Sequence, residues 1–247
     1  MDFATIGANI AKLWSQYWQV FLIQGLTTTL KLTCIAVVLG VLLGTVVAIL
    51  KMSRFKIVRF LITVYIEVIR GTPILLQLYI FVFALPSLVP LKLSYFTWTA
   101  IALCINSSAY VSEVFRSGIQ AVDKGQTEAA RSLGLSSGQT MVKIILPQAI
   151  RNILPALGNE FIMILKETSL ASTFFLGDLM TSYLKVKGAT FLGFEALIIV
   201  GIIYFCLTFP LSKLVNWFEK RMGTDKSYKN HHKHTERKRK LTAGGKI

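Results

Sequence analysis

Apolar residues in this chain gather into long, nearly unbroken runs instead of the one-sided stripes of a soluble helical protein. The stretch from Leu32 to Leu50 contains no charged residue. About 20 such residues, at a rise of ~1.5 Å each, cross a hydrocarbon core of ~30 Å, so the run predicts a membrane-spanning helix. Runs of this kind predict five spans in the sequence, at about 20–50, 57–85, 96–115, 153–175 and 192–217. The second should stop at Pro86 and Pro90, because a proline disfavours helix in the residue before it. A polar segment from Arg116 to Arg151 separates the third span from the fourth. A shorter polar loop with Asp178, Lys185 and Lys187 separates the fourth from the fifth. Residues 1–19 carry Trp14, Tyr17 and Trp18 and read as an interfacial helix. They lack the charged start of a cleavable signal peptide.

Composition supports the same fold class, an all-α membrane protein. Hydrophobic residues make up 53% of the chain and charged ones 16%, against about 25% charged in a soluble domain. The charges also fix an orientation. Lys51, Arg54, Lys56 and Arg59 cluster after the first span. Arg116, Lys124, Arg131, Lys143 and Arg151 occupy the long middle loop, and a basic tail starts at Lys220. The positive-inside rule puts all three on the cytoplasmic side and the N-terminus outside. The net charge of +15 is therefore a topology signal, and nucleic acid is not expected as a partner. The chain divides into an interfacial segment (1–19), a transmembrane domain (20–219, with its long loop at 116–151) and a tail (220–247) expected to be disordered. Within the tail, Arg237, Lys238, Arg239 and Lys240 suit an anionic bilayer surface.

Candidate chemistry is sparse. Cys34, Cys104 and Cys206 lie in separate apolar runs and read as packing residues. His231, His232 and His234 all fall in the tail. No phosphate-binding Gly-x-x-x-x-Gly-Lys-Ser/Thr, no His-Glu-x-x-His and no Gly-x-Ser-x-Gly is present. An enzyme is not expected, nor a metal or cofactor held by this chain.

The middle loop carries the most specific pattern. Glu128-Ala129-Ala130-Arg131-Ser132-Leu133-Gly134 is rich in helix formers and ends on a glycine, a common helix stop. Glu128, Ala129, Ala130, Gly134, Ile144, Leu146 and Pro147, preceded by Gly125-Gln126, resemble in residue and spacing the signature of bacterial ATP-binding-cassette importer permeases. Arg70-Gly71-Thr72-Pro73, Ala109-Tyr110-x-x-Glu113-x-x-Arg116 and Lys166-Glu167-Thr168-Ser169-Leu170 are similar to the branch that imports polar amino acids such as His, Glu, Gln, Arg and cystine. The resemblance covers roughly residues 20–220. It implies a multi-pass permease of the bacterial inner membrane whose helix around Gly125, Glu128, Ala129, Ala130 and Gly134 is a coupling helix docking on a separate ATPase subunit. ATP and Mg would belong to that ATPase. A second permease chain, identical or related, and an extracellular or periplasmic substrate-binding protein complete the implied assembly. The alternative is an ion-driven secondary amino acid transporter or channel, but such folds usually show internal repeats, and none stands out here.

Charge at membrane depth marks the candidate substrate residues, since each costs at least ~2.5–3.5 kcal/mol by insertion scales. Glu160 lies inside the fourth span, and Glu167 follows nearly two turns later on the same face. Two roles fit Glu160: a carboxylate satisfied by a neighbouring helix, or a partner for a substrate ammonium. Thr168 and Ser169 add hydroxyls. Glu67 and Arg70 are spaced as a helical ion pair. Pro73 cannot donate to the carbonyl of Ile69, so the Gly71-Thr72-Pro73 break leaves polar backbone free. Broken helices at membrane depth are tolerated where they line a cavity, which makes Arg70 and Thr72 candidate lining residues.

Overall fold

A computed structural model describes residues 3–222. The proposed lipid-binding run and the three histidines of the tail lie outside the described residues, as does most of the tail. The described residues are almost wholly helical and contain no strand. The first helix, α1, runs from Phe3 to Lys51. A wide turn at Val20–Leu26 joins its two halves, so the aromatic N-terminal segment continues directly into the first apolar run. α2 (Lys56–Gly71) and α3 (Ile74–Leu88) meet at a bend of 106°. α4 spans Tyr95–Gln120 and α5 spans Lys124–Ser132. A short turn at Ser137–Thr140 and a wide one at Met141–Ile145 lead into α6, Leu146–Glu167. A tighter 3-10 stretch, Thr168–Phe174, follows. α7 (Leu179–Thr190) and α8 (Gly193–Met222) complete the fold.

By length and composition α1 and α8 could each cross a membrane, and α2 with α3 makes a third crossing if the bent pair is one span. Their surfaces are apolar where a soluble protein would be polar: Leu42 is 61% exposed and Phe205 also 61%. α4 and α6 are more polar for a physical reason. They occupy the middle of the bundle, where Asn106, Ser107, Ser108, Ser112 and Glu160 are buried against other helices.

Glycines let α1 approach α4. A Cβ on Gly40 would lie 2.7 Å from the Ser107 side chain, and one on Gly44 would lie 2.6 Å from Val111. Removing the side chain brings backbones close, the usual device of membrane helices that gain nothing from apolar burial against lipid. One apolar cluster joins Leu32, Leu78, Val82, Trp98, Leu103 and Ile164 from α1, α3, α4 and α6. A second joins Leu13, Phe21, Leu179, Val186, Ile199 and Val200 from α1, α7 and α8.

Four sequence expectations are corrected. The polar loop around Asp178, Lys185 and Lys187 is instead the helix α7, capped by Asp178 through Met180 N–H at 3.0 Å. Burial pushes the Asp178 carboxyl up, against hydrogen bonds from Thr181 and Met180 that hold it down. Pro86 does not stop the second run: the helix passes from the wide turn Ile80–Ala84 through Pro86 to Leu88, and ends where Val89, extended, precedes Pro90. Arg70 does not pair with Glu67; its acidic partner is Glu113, at 3.7 Å. The Ile69 carbonyl is not free, since the Gln77 side chain donates to it at 2.7 Å.

Candidate functional site

Glu160 sits in the middle of α6 and is only 5% exposed. It lies beside Ser107 of α4, the residue that Gly40 admits. Among the described residues its Oε1 has no hydrogen-bond partner. Glu167, at the last position of α6, faces Glu160 closely enough for the two charges to interact, and its Oε2 is likewise buried without a partner. Buried carboxylate oxygens normally find donors, because an unmet one costs about 1–3 kcal/mol or more. Two such oxygens on one helix face make an acceptor-rich site, whose nearby protein groups are the buried Ser107 hydroxyl beside Glu160 and the Lys166 ammonium acting on Glu167. A group bringing N–H donors and positive charge complements it.

Thr168 follows immediately and is fully buried, its hydroxyl donating to the Leu165 carbonyl at 2.7 Å. That hydroxyl keeps acceptor capacity but has spent its proton. Ser169 is half-buried on the 3-10 stretch. Glu167 and these two residues therefore gather at the C-terminal end of α6, with Glu160 about two turns earlier on the same face.

Arg70 and Thr72 belong to a different constellation, at the bend between α2 and α3. The Arg70 guanidinium lies 5.4 Å from the Tyr110 ring centroid and 3.7 Å from Glu113. Glu113 also accepts from Lys51 at 2.5 Å and from Arg116 at 2.8 Å. Among the described residues no ion pair joins Arg70 to Glu160 or Glu167. Thr72 is occupied as well: its hydroxyl donates to Val68 O at 2.8 Å and accepts from Gln77 Nε2 at 2.9 Å. Sequence reasoning assigned no role to Gln77, Asn106 or Glu113. A polar side chain four residues after Pro73 in an apolar run was the available signal for Gln77.

The motif of the middle loop forms the helix α5. Asp123 caps it, accepting from Gly125 N–H at 2.7 Å. At the other end Leu135 N–H bonds Ala130 O and Gly134 N–H bonds Arg131 O, the paired closure that needs a left-handed residue. Gly134 supplies it with φ of +82° and open space around it. Its role within the chain is thus conformational, not close approach. Ala130 faces inward, whereas Gly125, Glu128 and Ala129 are exposed on the outer side.

Residues 36–224 match the family described as binding-protein-dependent transport system inner membrane component. The chain is 40% identical over 205 residues to the arginine transport system permease protein ArtQ of Bacillus subtilis, covering 83% of this chain and 94% of that one. It is 42% identical over 205 residues to the "Probable glutamine ABC transporter permease protein GlnM" of the same organism, with the same two shares. A solved structure described as an amino acid ABC transporter with histidines superposes with a TM-score of 0.81 at 44% identity, over 90% of this chain and 99% of that chain. An all-helical fold with a capped loop helix and a matched family pattern over most of its length identifies the chain as a member of the binding-protein-dependent transport system inner membrane components, the permease subunits of ATP-binding-cassette importers.

Proposed function

We infer that this chain is the multi-pass permease of an ATP-driven importer for polar amino acids, resident in a bacterial inner membrane. It crosses the bilayer five times, with α4 and α6 as the two polar central spans and the N-terminus outside. The loop charges at Lys51–Arg59 and Arg116–Arg151 support that orientation. Two such chains, identical or related, enclose the pathway, and an external binding protein delivers the substrate. The exposed face of α5, with Gly125, Glu128 and Ala129, docks on an ATPase subunit, while Ala130 and Gly134 set its inner packing and its end. ATP and Mg reside on that ATPase, and this chain makes and breaks no covalent bond.

The observation that carries the substrate reading is the pair of unmet buried oxygens, Glu160 Oε1 and Glu167 Oε2. An amino acid brings an ammonium with three N–H donors, and the relatives named for arginine and glutamine transport fit a polar substrate. Thr168 and Ser169 replace part of its hydration shell. Arg70 and Thr72 line the pathway at the bend of the second span. Uptake of labelled amino acids into proteoliposomes holding the full complex tests this reading. It should require ATP on the α5 side, and uptake driven by an ion gradient without the ATPase would overturn it.

A further inference from the structure

The bend between α2 and α3 is built around one side chain. Thr72 (φ −117°, ψ 145°) and Pro73 (φ −61°, ψ 134°) are extended, so the last carbonyls of α2 meet no following amide. The Thr72 hydroxyl takes Val68 O. Gln77, 5% exposed, turns its Nε2 back to Ile69 O at 2.7 Å, Thr72 O at 3.1 Å and Thr72 Oγ1 at 2.9 Å. Its Oε1 accepts from Asn106 Nδ2 at 2.9 Å. Three acceptors on one side and a donor on the other fix which end of the amide is which. A carboxylate would face three oxygens there, and an apolar side chain would leave them unmet.

The face of α4 that receives this bend continues toward the loop. Asn106, Tyr110 and Glu113 are spaced four and three residues apart, one helical face. Gln77 rests on the first and Arg70 on the other two. Glu113 then bonds Arg116, and Arg116 bonds Gln120 at 2.6 Å, the last residue of α4 before α5. Polar contacts therefore run from Arg70 through Glu113 and Arg116 to Gln120, and Gln77 meets that run through the backbone at Ile69, the residue before Arg70.

We propose that Gln77 is a positioning residue for coupling: it replaces the amide that Pro73 lacks, holds the bend, and so keeps Arg70 seated on the Tyr110–Glu113 face that leads to the coupling loop. The proposal rests on the reading of α5 as the ATPase-docking helix. Two variants of the full complex test it, Gln77→Leu and the double variant Gln77→Leu/Pro73→Ala. The double variant can form a continuous helix in which residue 73 donates to Ile69 O. Melting temperature, ATPase co-purification and substrate moved per ATP are measured for each. Gln77→Leu should lower the melting temperature and cut substrate moved per ATP roughly tenfold, with the ATPase still co-purifying. The double variant should recover the melting temperature but not the transport ratio. A normal ratio in Gln77→Leu, or a ratio that returns with stability in the double variant, would overturn the proposal. So would a double variant that stays unstable. Absence of the ATPase from the wild-type complex would instead sink the docking reading of α5.

Discussion

Glu113 and Glu160 are both carboxylates on central helices of one bundle, and their surroundings are opposite. Glu113 is met by Lys51, Arg70 and Arg116, which come from the ends of α1, α2 and its own helix. Glu160 is buried more deeply, and one of its oxygens has no hydrogen-bond partner. A saturated carboxylate has no capacity left for a ligand, so its work is to join helices. An unsaturated one is held at a cost that a ligand can relieve. Burial alone does not separate the two cases; the partner inventory does.

The sharpest break would come from removing coupling altogether, which sets the zero against which both carboxylates are read. Ala129→Trp places a bulky group on the exposed face of α5, where helix propensity falls by only ~0.5 kcal/mol. Co-purification of the ATPase, and with it uptake, should be lost while membrane insertion is kept. Normal co-purification would remove α5 as the docking element. Gly134 is a poorer position for this test, because any side chain at φ +82° strains the helix end by itself.

Glu160→Gln is the next largest effect. The amide keeps the shape and removes the charge, and a charge-assisted hydrogen bond is worth ~1.5–3 kcal/mol. Uptake affinity should fall roughly ten- to a hundredfold, with the substrate-free ATPase rate and the melting temperature close to wild type. Unchanged affinity would put Glu160 in the same class as Glu113. Glu113→Gln should show the reverse pattern in stability. Its three cations would face one another with a weaker acceptor between them, and two of them are 41% and 45% exposed. Solvent screening limits the loss to about 1–2 kcal/mol, read as a lower unfolding midpoint. A midpoint equal to wild type would show that the cluster is incidental.

The difference between the two sites also explains what could be read in the sequence. Glu160 stood out because a charge in an apolar run is visible locally, and so was the break at Gly71-Thr72-Pro73. The helix α5 was legible from its own composition and its terminal glycine. The partner of Arg70 was not, because Glu67 has the right helical spacing but Glu113 wins through tertiary contact. Gln77 escaped for the same reason, since its acceptors lie across a bend of 106° that no local pattern encodes. α7 was missed because Lys185, Lys187 and Gly188 interrupt its apolar positions. It is helical because Leu179, Ser182 and Val186 pack against α1 and α8, with Gly25 opening room for Ser182.

Glu195 supplies the smallest effect and the most exacting control on the comparison. It is 1% exposed near the start of α8; Asn9 Nδ2 donates to its Oε1 at 2.9 Å, while its Oε2 has no partner. By the unmet-oxygen criterion alone it would rank with Glu160. What separates them is company. Glu160 has Glu167 on the same face and Ser107 beside it, whereas Glu195 lies in the helix turn that packs Ala196, Ile199 and Val200 against Leu13 and Val186. Glu195→Gln preserves the acceptor for Asn9 and removes a buried charge, so it should shift stability by no more than about 1 kcal/mol and leave uptake unchanged. The comparison of unfolding midpoint and uptake with the Glu160→Gln complex decides the point. A loss of uptake in Glu195→Gln matching that in Glu160→Gln would show that unmet oxygens alone, without a neighbouring carboxylate, mark function in this bundle.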